Sequence, residues 1–258
     1  MPRKFRQPAF AILALGASLA LAACDGKVRW SSNGFDGVPL DELDMSAEAP
    51  TGVSLAGPDR VIISEGTALD ISVDADAEIA ERLRFNIEDG VLGIGRENGD
   101  WSDMGSSSAA IIRVTMPTPE TLAIAGSGRI EAAKVAGDAT LEIAGSGKIA
   151  VAEIDAGTLN IDIAGKGSVT GSGTTEMLAI DIAGSGEVSM EALKAGDATI
   201  DIAGSGDAIF SSDGTVKAGI AGSGDVTVIG NATCSVETAG SGSLTCRPAA
   251  EPAETDAG

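Results

Sequence analysis

The stretch that decides the fold is LEIAGSGKIAV, residues 141–151. Its central tetrapeptide, Ala-Gly-Ser-Gly, recurs at nearly constant spacing, and one copy reads Ala-Gly-Lys-Gly. A period near 20 residues is typical of a solenoid, in which each repeat stacks on the one before it. The gaps between copies are 19, 20, 19, 20, 18 and 18 residues, and the copies start at Ala125, Ala144, Ala164, Ala183, Ala203, Ala221 and Ala239.

Apolar and polar residues alternate on both sides of each tetrapeptide. Isoleucine stands one residue before the first alanine in six of the seven copies, and an apolar residue stands three before it in all of them. A period of two predicts strands with one buried face, and the glycines predict a sharp corner between them. Each repeat therefore reads as strand, corner, strand and loop.

We predict an all-β fold, a single-stranded right-handed parallel β-helix with turns of about 19 residues and an irregular N-terminal β region. A meander of antiparallel hairpins is the alternative. Identical residue types recur at one phase of the repeat, as expected when successive parallel turns place like residues on like. This recurrence favours the parallel arrangement.

Residues 53–117 lack the tetrapeptide but keep much of the alternation. They predict strands at 60–64, 68–73, 83–87, 91–94 and 110–116, one helical turn at 77–82 and a polar loop at 98–108. Terminal repeats of solenoids are often irregular because they cover an open end of the core. We therefore assign this region to the same domain as the repeats.

A targeting segment begins the chain. Three of the first six residues are basic, residues 9–20 form an apolar core, and Leu21-Ala22-Ala23-Cys24 follows. This tetrapeptide resembles the bacterial lipobox, which implies that Cys24 carries the lipid after residues 1–23 are removed. An ordinary secretory signal is the alternative.

The predicted organisation is a lipoprotein signal peptide at 1–23, a tether at 24–50, the β-helix domain at 51–247 and a disordered tail at 248–258. The predicted location is the cell envelope, lipid-anchored and facing the periplasm or the cell surface. Asp25 fits a retention signal for the inner membrane that some bacteria use, but the choice between inner and outer membrane stays open.

Two further cysteines fall in the last repeat. Cys234 lies five residues before Ala239 and Cys246 seven after it, and both positions are inward in the repeat. Disulfides persist in exported proteins, so we predict a Cys234–Cys246 bridge across the terminal turn. Two buried free thiols are the alternative.

The charge and the missing residue types exclude several functions. The net charge is −21, and it becomes −24 without residues 1–23, with 14 basic against 38 acidic side chains. Such acidity argues against binding to nucleic acid or directly to anionic lipid. The chain has no histidine, which excludes serine triads and imidazole metal sites. The predicted partners are the membrane, through the N-terminal lipid, and an envelope polysaccharide or protein, with the oligomeric state open.

A family resemblance rests on the order of several short motifs. GFD at 34–36, VIISEG at 61–66 and IEDGVLGI at 87–94 precede the Gly-Ser-Gly series. Over residues 30–247 the chain resembles the bacterial family called putative auto-transporter adhesin, head GIN domain. The resemblance implies a right-handed β-helix, often on lipoproteins, and brings no established catalytic residues.

An acidic column is the main candidate site. Glu142, Asp162, Asp181 and Asp201 each stand two residues before a repeat alanine, so they point outward on consecutive turns about 4.8 Å apart. The column is either a solvated face, a ladder for Ca²⁺ or a catalytic carboxylate pair. Trp101, in the predicted polar loop, is a candidate ligand contact, with partial burial against the solenoid as the alternative.

The sequence predicts a non-enzymatic envelope lipoprotein that serves as an adhesion-like binding module or a structural module and needs no cofactor. The alternatives are a carboxylate-based polysaccharide lyase or hydrolase and a Ca²⁺-dependent binding module. An enzyme should add basic or aromatic subsites to paired carboxylates, whereas a structural module should have flat polar faces and capped ends.

Overall fold

Parallel strands stack turn on turn through the whole repeat region. In the computed structural model, which describes residues 30–31, 34–46, 48–97 and 109–248, each long strand pairs in parallel with the equivalent strand of the next repeat. Ile143 pairs with Ile163, which pairs in turn with Ile182. This like-on-like register confirms the predicted parallel β-helix and excludes the antiparallel meander for the repeats.

Ten strands build the seven regular turns, and the Gly-Ser-Gly corners separate many of them. The strands are β9 (Thr121–Gly126), β10 (Arg129–Gly145), β11 (Lys148–Gly165), β12 (Ser168–Gly184), β13 (Glu187–Gly204), β14 (Asp207–Ser212), β15 (Thr215–Gly222), β16 (Asp225–Ile229), β17 (Thr233–Gly240) and β18 (Ser243–Arg247).

The sequence predicts a loop between the second strand of one repeat and the first strand of the next. In four repeats this loop is absent, and the two strands are one continuous strand. Strands β10 to β13 run from one corner to the next, and the chain bends at shifts of register, such as the one between Gly137 and Asp138. A bulge turns the strand while most of its ladder hydrogen bonds remain. This prediction was therefore wrong for these repeats.

The corner glycines are required by the approach of one turn to the next. Gly145 has φ +130°, and a Cβ at this position would collide with the carbonyl oxygen of Gly126 in the preceding turn. That oxygen accepts a hydrogen bond from the N–H of Ser146 at 2.8 Å. A Cβ on Gly147 would lie 2.6 Å from Cγ2 of Ile124. The tetrapeptide thus closes each corner on the backbone and the isoleucine of the turn before it.

One apolar core runs along the axis of the solenoid. The side chains one and three residues before each repeat alanine are buried in six turns, and Leu122, Leu141 and Ile200 have no exposed surface. Each such burial contributes about 1.5–3 kcal/mol. Because each layer is covered by its neighbours, stability comes from stacking rather than from a single turn.

The N-terminal region adds eight strands and two short helices, and none of the described helices is long and apolar enough to cross a bilayer. All five predicted strands and the predicted helical turn are present, whereas β1, β2 and β3 were not predicted. The loop predicted at 98–108 lies outside the described residues. The elements are β1 (Trp30–Ser31), β2 (Gly34–Phe35), a 3-10 helix (Leu40–Glu42), β3 (Gly52–Gly57), β4 (Arg60–Glu65), β5 (Asp70–Asp74), α1 (Ala77–Arg82), β6 (Leu83–Glu88), β7 (Val91–Arg96) and β8 (Ile111–Met116).

The first two turns of the solenoid do not follow the order of the sequence. Strand β3 pairs with β7 on one side and β9 on the other, and β4 pairs with β8 and β10 in the same way. The turn made of β3 and β4 therefore lies between the β7–β8 turn and the first regular turn. The chain first forms the second layer, β3 and β4, and then the outermost layer, β7 and β8. It then returns past the second layer to β9, where the regular repeats begin.

A buried ion pair fixes this exchange of layers. Asp59 follows Gly57 at the corner between β3 and β4, and its side chain has no exposed surface. It accepts hydrogen bonds from Nε of Arg96 at 2.9 Å and from the N–H of Ala110 at 2.8 Å. These two residues begin and end the excursion between β7 and β8. Asp59 therefore closes a corner at which the chain has no Gly-Ser-Gly.

The N-terminal end of the solenoid is covered by the chain itself. Strands β5 and β6 pair antiparallel with β8 and β7, and Val38 bridges to Phe85 on β6. Phe35 is buried against Gly93 and Gly95 of β7, where a Cβ would overlap its ring. Part of the segment predicted as a tether thus packs on the first strands of the fold.

Candidate functional site: an acidic groove

The predicted acidic column is in register on one face. Glu142 pairs with Asp162, Asp162 with Asp181 and Asp181 with Asp201. Gly219 occupies the next position, and Glu237 continues the column on the last turn. The carboxylate of Asp201 fills the space that a side chain at Gly219 would use, because its Oδ1 lies 2.5 Å from the position of that Cβ.

The column forms one wall of a long groove of about 980 Å³. We call this surface the acidic groove; it consists of the acidic column, the repeat alanines from Ala144 to Ala239 and the isoleucines between them. The alanines at the repeat positions are small, partly or fully exposed residues, so they form an apolar floor. The alanine floor was not predicted, although the same small residue recurs at every outward position beside the column.

Burial and the proximity of other carboxylates raise the pKa values of two aspartates in the groove. Burial raises the pKa of Asp162, and the charge of Asp181 raises it further. The pKa of Asp181 is also raised, first by burial and then by the charge of Asp201. Both causes disfavour the ionised form, so a cationic group placed in the groove would relieve the repulsion.

The composition of the groove limits its chemistry. Its lining has carboxylates, alanines and isoleucines, with one glycine and one threonine, but neither a basic nor an aromatic side chain. Within the described ranges no three Asp, Glu, Cys or His side chains come together in a way that could hold a metal ion. The Ca²⁺ ladder at Glu142, Asp162, Asp181 and Asp201 stays a prediction.

The family of the chain follows from its sequence as well as its fold. Residues 49–232 match the family described as putative auto-transporter adhesin, head GIN domain. The chain belongs to this family. The resemblance drawn from the short motifs and the tetrapeptide is thereby confirmed. No curated protein matches the chain.

Solved structures share the GIN-domain fold. A putative adhesin from Bacteroides fragilis has 19% identity and a TM-score of 0.71, with 78% of this chain and 93% of that chain covered. A putative lipid binding protein from Parabacteroides distasonis has 23% identity and a TM-score of 0.60, with 77% and 93% covered. A putative adhesin from Parabacteroides merdae has 17% identity and a TM-score of 0.59, with 78% and 93% covered. At these identities the likeness shows the fold alone.

The other predicted site residues of this GIN-domain protein are the two cysteines of the last repeat, Cys24 and Trp101. Cys234 and Cys246 form the predicted disulfide, with their Cα atoms 6.7 Å apart, so it joins the two strands of the terminal turn. Cys24 and Trp101 lie outside the described residues. Lipidation of Cys24 and the contact role of Trp101 stay predictions.

Proposed function

We propose that this protein is a non-enzymatic lipoprotein of the cell envelope whose solenoid binds a partner along the acidic groove. The observation that carries the proposal is the continuity of the groove over six turns, with an apolar floor and a wall of in-register carboxylates. Such a surface complements an extended partner that has apolar and positively charged groups, such as an envelope protein or an amino-substituted polysaccharide.

The lining of the groove supports binding rather than catalysis. Polysaccharide lyases and hydrolases that use carboxylates also need groups that hold the sugar chain, and we expected these to be basic or aromatic side chains. The groove has neither. Release of reducing sugars or unsaturated uronates from envelope polysaccharide by the purified chain would contradict this part of the proposal.

The lipid anchor at Cys24 would attach the N-terminal end of the solenoid to the membrane. Trp30, six residues after Cys24, begins the first described strand, and residues 34–43 lie next to the outermost strands. The acidic groove would then run away from the membrane along the stacked turns. In this arrangement a partner in the periplasm or on another surface can reach the whole groove.

A bulky side chain introduced on the floor of the groove tests whether the groove binds the partner. Ala183 is exposed on the floor, so Ala183→Trp should block the groove and leave the inward core intact. Ser185, two residues away on the exposed corner, is outside the lining, and Ser185→Trp is the matched control. We expect the first variant to capture at least about tenfold less envelope material on beads than the native chain, and the control to capture as much as the native chain.

Two further measurements test the role of charge and the lipid anchor: capture at different NaCl concentrations, and membrane fractionation of a Cys24 variant. Capture by a carboxylate wall should weaken as NaCl increases from about 50 to 500 mM, because salt screens exposed charges. The variant Cys24→Ala should leave the membrane fraction if the cysteine carries the lipid. Equal capture by both tryptophan variants would reject the groove, and membrane retention of the Cys24→Ala variant would reject the anchor.

A further inference from the structure

The C-terminal end of the solenoid is open in the described part of the chain. Strands β17 and β18 pair with β15 and β16 on one side, and no described strand pairs with their other side. Val236 is 44% exposed, whereas Ala218, at the same position one turn earlier, is 5% exposed. The inward face of the last turn therefore ends in an apolar layer that no described residue covers.

The free edge also keeps its hydrogen-bonding groups. The N–H of Thr233 donates to the carbonyl of Gly214 in the preceding turn at 2.8 Å. Alternate residues of a parallel strand direct their backbone groups to opposite neighbours, so Cys234, Val236 and Thr238 direct theirs to the free side. Natural edge strands are commonly protected by lysine, proline or inward-pointing charge. β17 and β18 contain no lysine and no proline, and their inward positions are uncharged.

The composition of residues 249–258 does not favour a capping strand. Residues 249–258, AAEPAETDAG, contain three acidic residues, a proline and no apolar side chain larger than alanine. Residues of this kind bury little apolar surface and do not sustain a ladder of hydrogen bonds. The occupant of the open end therefore needs a strand edge and an apolar layer of its own.

We propose that the occupant is a second copy of this chain, which docks the same terminal turn through a two-fold axis. Identical open ends have matching apolar layers and matching edges. The terminal turn, residues 231–248, has one acidic and one basic residue, Glu237 and Arg247, whereas residues 119–230 have sixteen acidic and six basic residues. Two neutral turns approach each other with less repulsion than any other part of the repeat region would meet, and the charges of Glu237 and Arg247 are complementary across the contact.

The opposite end of the molecule disfavours a filament. Head-to-tail stacking would require the free edge of β17 and β18 to meet an open N-terminal edge. At that end β5 and β6 lie on β8 and β7 in antiparallel orientation, the segment that includes Val38 bridges to β6, and the exposed edge strand β5 has an aspartate at each of its ends. The contact between copies is therefore isologous and closes at two.

The size and charge of the surface predict a weak dimer. A stable interface commonly has about 20–30 residues on each side, and one turn of this solenoid falls below that range. Each copy is strongly acidic as a whole, and three further acidic residues follow the turn. We expect a dissociation constant of about 1–100 µM that decreases several-fold as salt screens this repulsion. Capture by the acidic groove should show the opposite dependence on salt.

The test is the mass of the full chain in excess detergent, measured by sedimentation equilibrium at matched detergent density. For a dissociation constant of about 1–100 µM, the weight-average mass of the native chain at about 100 µM should be about 1.5–1.9 times the protomer mass. Val236→Lys places an ammonium group at the centre of the contact, where association would bury it without a partner. Since the position is 44% exposed, the lysine can extend from the open end of a folded protomer. We expect association to weaken at least tenfold.

Two further variants separate this effect from a change in folding. Ser241→Lys adds the same charge to an exposed corner of the same turn, outside strands β17 and β18, and should dimerise like the native chain. Arg247→Glu changes only an exposed side chain, makes both turns acidic and should weaken the dimer about tenfold. A native chain that stays monomeric at 200 µM, masses above the dimer, or a Val236→Lys variant that associates like the native chain would overturn the proposal. These outcomes are measured without a groove partner and without a membrane, so a failure of the proposed function would not change them.

Discussion

The two ends of the solenoid handle the same physical problem in different ways. The N-terminal end uses antiparallel strands, a short helix and a buried Asp59–Arg96 pair to cover the first layers. Among the described residues, the C-terminal end repeats the regular turn to its last strand and adds the disulfide between Cys234 and Cys246. A repeat therefore specifies its own interior, whereas the N-terminal end is covered by additional sequence that does not follow the repeat.

The largest expected effect is at the covered end. Asp59→Ala removes the carboxylate that accepts hydrogen bonds from Arg96, whose side chain is only 12% exposed, and removes the acceptor of the N–H of Ala110. Removal of one partner from a buried ion pair costs about 3–5 kcal/mol. Urea unfolding should show this loss, whereas Asp70→Ala on the exposed edge strand β5 should stay close to the native chain. Equal stability of the two variants would mean that Asp59 does not fix the exchanged layers.

A smaller and more local effect is expected at the open end. Replacement of both Cys234 and Cys246 by alanine opens a loop with a sequence separation of 12 residues. In the chain-entropy description a loop of about 15 residues corresponds to about 3 kcal/mol. Only the terminal turn depends on this bridge, so amide exchange should accelerate in residues 233–247 and stay native in β10 and β11. Faster exchange throughout the solenoid would show that the open end controls the stability of the whole stack.

The smallest effect concerns the turns between the two ends. The folded-state pKa values of Asp162 and Asp181 are raised above the ordinary value of 3.8, so the folded chain binds protons more readily than the unfolded chain just above that pH. These two carboxylates therefore oppose folding at neutral pH, and this opposition decreases as the pH falls through the raised pKa values. The double variant Asp162→Asn, Asp181→Asn should melt above the native chain at pH 7.

The difference between the two melting temperatures should shrink on acidification. For a domain of this size each 1 kcal/mol corresponds to about 2–4 °C. Other carboxylates affect both proteins alike; for example, hydrogen bonding from Arg60 lowers the pKa of Glu131, which contributes stability that acid removes from both. The difference between the two proteins thus isolates the column. A difference that stays constant with pH would contradict the pKa shifts.

The regular turns could be predicted from the sequence because equivalent positions of the seven repeats lie in the same environment and therefore carry similar residue types. The period, the inward isoleucines, the corners and the disulfide all follow from that repetition. The exchange of the first two layers could not be predicted, since it depends on which strands pair across a long excursion. One signal was present: Ala56-Gly57-Pro58-Asp59-Arg60 matches Ala125-Gly126-Ser127-Gly128-Arg129 in phase, and β4 pairs with the start of β10.

The candidate site was predicted only in part. The acidic column follows from the alternation, because residues two before the alanine must point outward. The groove depends in addition on how the backbone places the repeat alanines beside the column, which composition does not report. The open end could not be foreseen either, because terminal repeats generally carry caps.

Because the register between turns is constant, whole repeats could be added or lost, and the length of the solenoid would change by one turn for each repeat. Every corner closes on the corner before it through the same glycine contacts, so the junction after Gly145 is equivalent to the junction after Gly184. Loss or duplication of whole repeats would reconnect equivalent strands and move the two ends by about 4.8 Å for each turn. The number of repeats therefore sets the distance between the N-terminal and C-terminal ends of the solenoid.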